Sequence, residues 1–139
     1  MDTRKQEAQT VIELQLPWPP TTLNPNARMH WAALAREKAL YRHACKLITG
    51  NQIKGEDVSN ASGLHIYLQF VPPNKRAYDR DNLIARMKSG LDGMCDSLGI
   101  DDGKFSSISA SLAHDTVGGY VIVRICCGDL YTGQRPLPS

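Results

Sequence analysis

Hydrophobic residues alternate with polar ones in four short segments of the chain. Side chains of a strand point alternately to its two faces, so this two-residue period predicts strands with one buried face. The segments cover residues 11–16, 64–71, 108–112 and 121–127. Each is followed by proline, glycine or polar residues that are typical of turns. The pattern therefore predicts four strands.

Two longer segments have the period of a helix. Residues 30–49 are rich in Ala, Leu, Arg, Lys and Glu, which favour helices, and Gly50 is predicted to end this first helix. In the second segment, residues 82–98, the hydrophobic positions are spaced by four, four, three and four residues. These positions are Leu83, Met87, Leu91, Met94 and Leu98. Gly99 is predicted to cap the second helix.

The order of these elements, β-α-β-α-β-β, predicts an α+β fold in which two helices cover one small sheet. With 139 residues, 42% of them hydrophobic, the chain has room for one ordinary core but not for two. We therefore expect a single domain over residues 10–128, with flexible tails at residues 1–9 and 129–139. The order of the strands within the sheet does not follow from the sequence.

The composition of the chain limits the classes of protein to which it can belong. The chain has no apolar run approaching the roughly 18 to 20 residues that span a bilayer, and its first residues lack the apolar stretch of a secretion signal. We therefore expect a soluble, cytoplasmic protein without a membrane partner. Its four cysteines form no C-x-x-C pair, so buried, reduced thiols are expected rather than a zinc site or disulfides. The net charge of +2 does not by itself indicate a nucleic-acid-binding protein.

Aspartates are concentrated in residues 79–102. Asp79 and Asp81 are two positions apart, so in extended backbone their side chains point to the same side. Two carboxylates about 4 Å apart repel by about 4 kcal/mol at an effective dielectric near 20, so such a pair must be solvated, protonated or bound to a cation. A divalent cation would relieve the repulsion. Oxygen ligands without nearby Cys or His favour Mg²⁺, or alternatively Mn²⁺, over zinc.

Further charged residues continue this acidic face. At about 100° per helical residue, Lys88 and Asp92 lie within roughly 20° of the direction of Asp81, away from the hydrophobic stripe. A lysine there is suited to neutralise charge on a phosphate. Asp101 and Asp102 follow the helix in a tight turn, and since adjacent side chains diverge, only one is expected to reach a metal ion. For this, the chain after the second helix must fold back over the start of that helix.

Each of these patterns also has a purely structural explanation. D-x-D-N before a helix commonly caps its first turn, and D-D-G commonly forms a turn. The pair of Lys88 and Asp92, one helical turn apart, is a common solvated ion pair. The residues alone therefore leave open whether the chain is an enzyme or a nucleic-acid-binding module without catalysis.

Taken together, the motifs resemble the RusA family of Holliday-junction resolvases. L-P-W-P-P follows the first strand, a basic helix comes next, D-R-D-N-L opens a helix carrying K-S-G-L-D-G-M, and L-G-I-D-D follows. The resemblance covers roughly residues 11–127. It implies a homodimeric, Mg²⁺- or Mn²⁺-dependent endodeoxyribonuclease that cuts four-way DNA junctions symmetrically in DNA recombination and repair. A bacterial or bacteriophage host is expected, and a nuclease for flaps or other branched DNA is a further alternative.

The resemblance also implies roles for individual residues. The implied metal ligands are Asp79, Asp81 and Asp102. The catalytic lysine matches Lys88, in the stretch K-x-x-x-D-x-M. In the best-known pattern that lysine lies one helical turn nearer to D-x-D-N, where this chain has Ala85, so Arg86 stays open as the alternative cation. The residues expected to contact DNA phosphates are Lys75, Arg76, Arg80 and Arg86.

Overall fold

Strands and helices alternate through most of the part of the chain that the structure describes. This computed structural model describes residues 9–55, 58 and 63–127, with side chains described from residue 12 onward. The strands are β1 (Gln9–Pro17), β2 (Leu64–Val71), β3 (Phe105–Leu112) and β4 (Tyr120–Cys127). The helices are α1 (Trp31–Gln52), α2 (Arg80–Arg86) and α3 (Lys88–Leu98). The tails predicted from the sequence lie outside the described residues, apart from Gln9 at the start of β1.

The four strands form one mixed sheet in the order β1-β4-β2-β3. β4 pairs antiparallel with both β1 and β2, whereas β2 and β3 are parallel. Parallel neighbours cannot be joined by a tight hairpin and need a crossover connection. In this fold α2 and α3 supply the crossover, so the acidic segment of the sequence is the connection between two adjacent strands.

The core lies between one face of the sheet and the helices. Ile66 of β2 pairs with Ile125 of β4 and Ile108 of β3, so the alternating hydrophobic positions of neighbouring strands lie in register. The edge strand β3 is less covered, and Ile108 is largely exposed. The largest fully buried side chains are Leu14, Leu16, Leu64, Ile66, Leu68, Phe70, Leu83, Met87, Met94, Val121, Val123 and Ile125. Their burial is the main favourable contribution to the stability of the fold.

Helices α1 and α3 approach each other closely at Gly93. A Cβ atom added to Gly93 would lie 2.0 Å from the carbonyl oxygen of Arg42 and 3.1 Å from the backbone nitrogen of Lys46. The absence of a side chain at this position therefore allows the two backbones to meet. Across the same interface, Arg42 donates two hydrogen bonds to Asp96, of 2.7 Å and 2.9 Å.

The α+β class and the four strands predicted from the sequence are confirmed. Several helix boundaries differ from the prediction, including the start of the second helix, which is Arg80 and not residue 82. Helix α1 continues past Gly50 to Gln52, whose side-chain amide makes two hydrogen bonds to the backbone of Gln15 in β1, and these bonds hold the last turn in place. The predicted second helix is divided at Met87, which ends α2 and begins α3.

The predicted thiol state also agrees with the structure. Cys45 and Cys95 are buried thiols outside any disulfide, Cys126 is also buried, and Cys127 is half-buried. Among the helices described, none is both long enough and apolar enough to cross a bilayer.

Candidate functional site

Asp102 lies beside the first residue of α3, although it follows the last residue of that helix in the sequence. The reversal begins at Gly99, whose backbone is left-handed, with φ 71° and ψ 32°. The amide of Ile100 then donates to the carbonyl of Cys95 over 3.1 Å. Asp101 caps the following short turn, because its side chain accepts a hydrogen bond from Gly103 N at 3.2 Å. The chain thus folds back along α3 far enough for Asp102 to reach the side chain of Lys88.

Lys88 joins this turn to the helix. Its Nζ donates to Asp92 Oδ1 at 2.9 Å and to Asp102 Oδ2 at 3.1 Å. The Lys88 side chain is 66% exposed, and those of Asp92 and Asp102 are 24% and 54% exposed. Solvent therefore reaches the whole cluster, and its ion pairs contribute little to stability.

The same contacts shift the pKa values of two members of this cluster. The hydrogen bonds that Lys88 donates to Asp92 and then to Asp102 raise the pKa of Lys88. The hydrogen bond that Lys88 donates lowers the pKa of Asp102. Both shifts favour the charged forms of Lys88 and Asp102, so the contact between these two residues is an ion pair at neutral pH.

Asp79 and Asp81 lie at the start of α2. Asp79 Oδ1 accepts hydrogen bonds from the amides of Asp81 at 2.9 Å and Asn82 at 3.5 Å, so Asp79 is the N-cap of this helix. The structural explanation of the motif thus holds for that oxygen. The side chain of Asp81 is exposed to solvent in the first turn.

Arg86 lies in the core. This location corrects the prediction that Arg86 contacts DNA phosphates. It is 4% exposed, and its Nη2 donates to the carbonyl oxygen of Pro19. Its guanidinium carbon lies 5.9 Å from the centre of the Trp18 ring. Burial lowers the pKa of Arg86, partly opposed by Tyr78 and Tyr41. Arg86 therefore anchors the proline-rich loop after β1 and cannot reach a phosphate from the surface.

The other predicted DNA-contacting residues lie at the surface. Lys75 and Arg76 are exposed in the loop between β2 and α2. Arg80 is exposed at the start of α2, where its Nη1 lies 3.5 Å from the carbonyl oxygen of Ala110 in β3. All three belong to the segment that leads from the sheet into Asp79 and Asp81.

The aspartate carboxylates of the candidate site fit a divalent metal ion by their chemical type and not by their arrangement. No three His, Cys, Asp or Glu side chains in the described ranges converge to hold one, so the predicted set of Asp79, Asp81 and Asp102 is not assembled as a group. Mg²⁺, however, is usually held by only one or two carboxylates together with water and substrate phosphate. The exposed carboxylates of Asp81 and Asp102 match that requirement in chemical type.

Sequence reasoning placed Asp92 on the acidic face but gave it no role. In the structure Asp92 is the nearest acceptor of Lys88 and fixes the direction of that side chain. The four-residue spacing between the two was the available signal, since residues four apart on a helix are neighbours.

Comparison with known proteins gives one relative. A protein of Xylella fastidiosa (strain Temecula1), described as an uncharacterized protein, is 35% identical to this chain over 115 residues. The match covers 81% of this chain and 74% of that protein. No family model matches the chain.

Proposed function

This chain belongs to the same family as the Xylella fastidiosa protein, and we propose that it is a divalent-metal-dependent endodeoxyribonuclease that resolves four-way DNA junctions. The resemblance of its ordered motifs to RusA resolvases supports the substrate. The surface cluster of oxygen donors and one lysine supports the chemistry. Its setting would be recombination and repair in the cytoplasm of a bacterium, or of a bacterium infected by a phage that encodes it.

The observation that carries this proposal is the contact between Lys88 and Asp102. A D-D-G turn needs no partner from the start of the preceding helix if its only role is to reverse the chain. Here the turn is folded back so that Asp102 Oδ2 lies 3.1 Å from Lys88 Nζ. This arrangement gathers an ammonium and two carboxylates on a solvent-exposed surface, where a DNA backbone can reach them.

In this proposal, the residues that would hold Mg²⁺ or Mn²⁺ are Asp81, Asp102 and the second oxygen of Asp79, although no three such side chains among the described residues converge in the structure. A bound divalent ion would act as a Lewis acid and lower the pKa of a water molecule. Hydrolysis forms a bond from the water oxygen to phosphorus and breaks one phosphorus–oxygen ester bond of the DNA strand.

Lys88 contributes positive charge to this reaction. It is a point charge on a flexible stem, suited to follow negative charge as it develops on the phosphate oxygens. Asp92, 2.9 Å away, orients the ammonium and keeps it protonated. Lys75, Arg76 and Arg80 would hold the neighbouring phosphates and set the position of the strand.

We further propose that the protein acts as a homodimer. A four-way junction has approximate two-fold symmetry, and its resolution requires one nick in each of two opposing strands. A C₂ pair carrying one site per subunit meets this need, whereas a monomer would nick a single strand.

A second candidate is a DNA-binding module without catalysis. The cap formed by Asp79 favours it, because that oxygen is already used by the backbone amides of Asp81 and Asn82. A third candidate, a nuclease for flaps or other branched DNA, would use the same residues on a different substrate.

One experiment separates these candidates. The protein is incubated with labelled four-way junction, flap and linear duplex, each with and without Mg²⁺, and products are resolved on native and denaturing gels. The proposal predicts Mg²⁺-dependent, paired cuts in the junction alone. Cutting of the flap would favour the third candidate, and mobility shifts without any cutting would favour the binding module.

A further inference from the structure

A cavity of about 340 Å³ lies between the loop that follows β2 and the turn that joins β3 to β4. The first wall includes Lys75, Arg76 and Tyr78, and the second includes Leu112, His114 and Val117. None of these residues belongs to the cluster around Lys88. The lining of the cavity nevertheless adjoins the candidate site in the sequence, because Tyr78 directly precedes Asp79.

Hydrogen bonds hold both walls in place. In the first wall, Asn74 Oδ1 accepts from the amide of Arg76 at 3.0 Å and from the hydroxyl of Tyr78 at 2.9 Å. In the second wall, three backbone amides bond to the end of β2 and the residue after it. These bonds are Ala113 N to Phe70 O at 2.9 Å, Gly118 N to Pro72 O at 2.7 Å and Gly119 N to Val71 O at 2.9 Å. The cavity is therefore formed before any ligand arrives, as small-molecule sites usually are.

The lining has the chemistry of a site for an anion with an apolar part. Lys75, Arg76 and His114 lie along it, and no Asp or Glu is among the residues that line it. The side chains of Leu112 and Val117 supply apolar surface, and Tyr78 adds an aromatic ring. A bare phosphate would use the charges and leave this apolar surface without a partner.

The volume sets the size of the ligand. Small-molecule sites occupy roughly 300 to 1,000 Å³, and this cavity lies near the lower end of that range. It is large enough for a group the size of one nucleotide and too small for a stretch of duplex. An aromatic or apolar wall beside basic residues is also the usual way in which proteins hold an unpaired base and its phosphate.

We propose that this cavity binds one unpaired nucleotide of the DNA strand that enters the candidate site, with its phosphate at Lys75 and Arg76 and its base against Tyr78, Leu112 and Val117. The identification of the polymer as DNA rests on the proposed function. Strands at the centre of a branched junction can expose unpaired nucleotides, so such a site would favour branch points over linear duplex.

The test uses the ¹⁵N-labelled full chain, with amide chemical shifts followed during titration with thymidine 5′-monophosphate, thymidine or inorganic phosphate. The nucleotide should shift amides of residues 74–78 and 112–117. Because one charge-assisted hydrogen bond is at stake, its affinity should exceed that of either fragment by about tenfold or more. Shifts confined to other regions, or equal affinity for phosphate alone, would overturn the inference.

Variants locate the binding within the cavity. Lys75→Glu should weaken nucleotide binding by about tenfold or more, and Val117→Trp should weaken it by filling the apolar part. Lys38→Glu, at an exposed lysine of α1 outside the cavity, is the matched control and should leave binding unchanged. The same spectra report whether each variant is folded. Equal losses in the Lys38 and Lys75 variants would mean that net charge alone attracts the nucleotide, and the inference would fail.

Failure here is distinguishable from failure of the proposed function. If the wild-type protein cleaves the junction but the nucleotide shifts no amides around the cavity, the nucleotide site is refuted and the proposed nuclease function still stands. Shifts in the cavity without cleavage would support the nucleotide site and count against the nuclease.

Discussion

Lys88 and Arg86 carry the same charge two positions apart, yet the fold places them in opposite surroundings. Lys88 is exposed and bridges Asp92 to Asp102, whereas Arg86 is buried against Trp18 and the carbonyl of Pro19. Sequence reasoning left both as candidates for the catalytic cation. The structure favours Lys88, because only its ammonium is accessible to a DNA phosphate.

Replacement of Lys88 by methionine tests that assignment. We expect cleavage of the junction to slow by about 10² to 10³-fold, the cost typical of removing one charge-stabilising group. Stability should change by less than about 1 kcal/mol because the ion pairs are exposed. Single-turnover cleavage and thermal unfolding measure the two effects, with Lys38→Met as the control. Wild-type cleavage by the Lys88 variant would remove the lysine from the mechanism.

Buried thiols give a prediction for the pH dependence. Burial raises the pKa of Cys45 to about 11 and that of Cys95 to about 12, from an ordinary value of 9.0. As the pH rises, the thiols of the unfolded chain lose their protons at a lower pH than the thiols of the folded protein. The contribution of the two buried thiols to the free energy of unfolding is therefore constant below pH 9.0 and is lost as the pH rises toward the higher folded values.

At pH 8 both thiols should resist a disulfide reagent in the native protein and react only after unfolding. Absorbance of the released thiol, measured with and without denaturant, checks this. The half-buried Cys127 serves as an internal reference. Rapid native labelling of Cys45 or Cys95, identified by mass spectrometry, would contradict the burial of these residues.

At the scale of elements, periodicity was sufficient for the strands and insufficient for the helix ends. The two-residue alternation of β2 predicted its bounds, Leu64–Val71, because one face is buried and the other is not. The division between α2 and α3 could not be predicted, since the hydrophobic spacing continues through Met87. The parallel pairing of β2 with β3 depends on long-range contacts that local patterns do not encode.

The candidate site was also only partly predictable from the sequence. Its residue types and their spacing were evident from the sequence, whereas the contact between Lys88 and Asp102 depends on the path of the chain after Gly99. The burial of Arg86 and the cavity beside Tyr78 were missed because both depend on loops packed against distant elements.

The close approach of α1 and α3 predicts a large cost for Gly93→Ala. Overpacking typically costs 1 to 3 kcal/mol, and here the new Cβ would meet backbone rather than a movable side chain. We expect about 2 to 3 kcal/mol of destabilisation, even though alanine favours helices by up to about 1 kcal/mol. Urea unfolding measures it. Gly103→Ala is the control, because its nearest neighbour would be 3.8 Å away; equal stability of both variants would refute the packing argument.

At the scale of the whole molecule, junction resolution requires two sites that act together. A homodimer should convert a supercoiled plasmid with an extruded cruciform directly to linear DNA, because both strands are cut within one bound complex. Sedimentation of the free protein should give twice the chain mass of 15.4 kDa. Accumulation of nicked circles by a monomeric species would contradict the paired-site proposal.

We propose that exposed carboxylates at the ends of this helical crossover support metal-dependent cleavage. Asp81→Asn and Asp102→Asn test this proposal most directly, with cleavage rate and affinity measured on the same junction. Asp96→Asn is the control, because that carboxylate pairs with Arg42 of α1 and not with Lys88. We expect both variants to cut at least about 10³-fold more slowly, while binding is unchanged or tighter because a negative charge near phosphate is gone. Undiminished cutting by either variant, or a loss of binding equal to the loss of cutting, would contradict it.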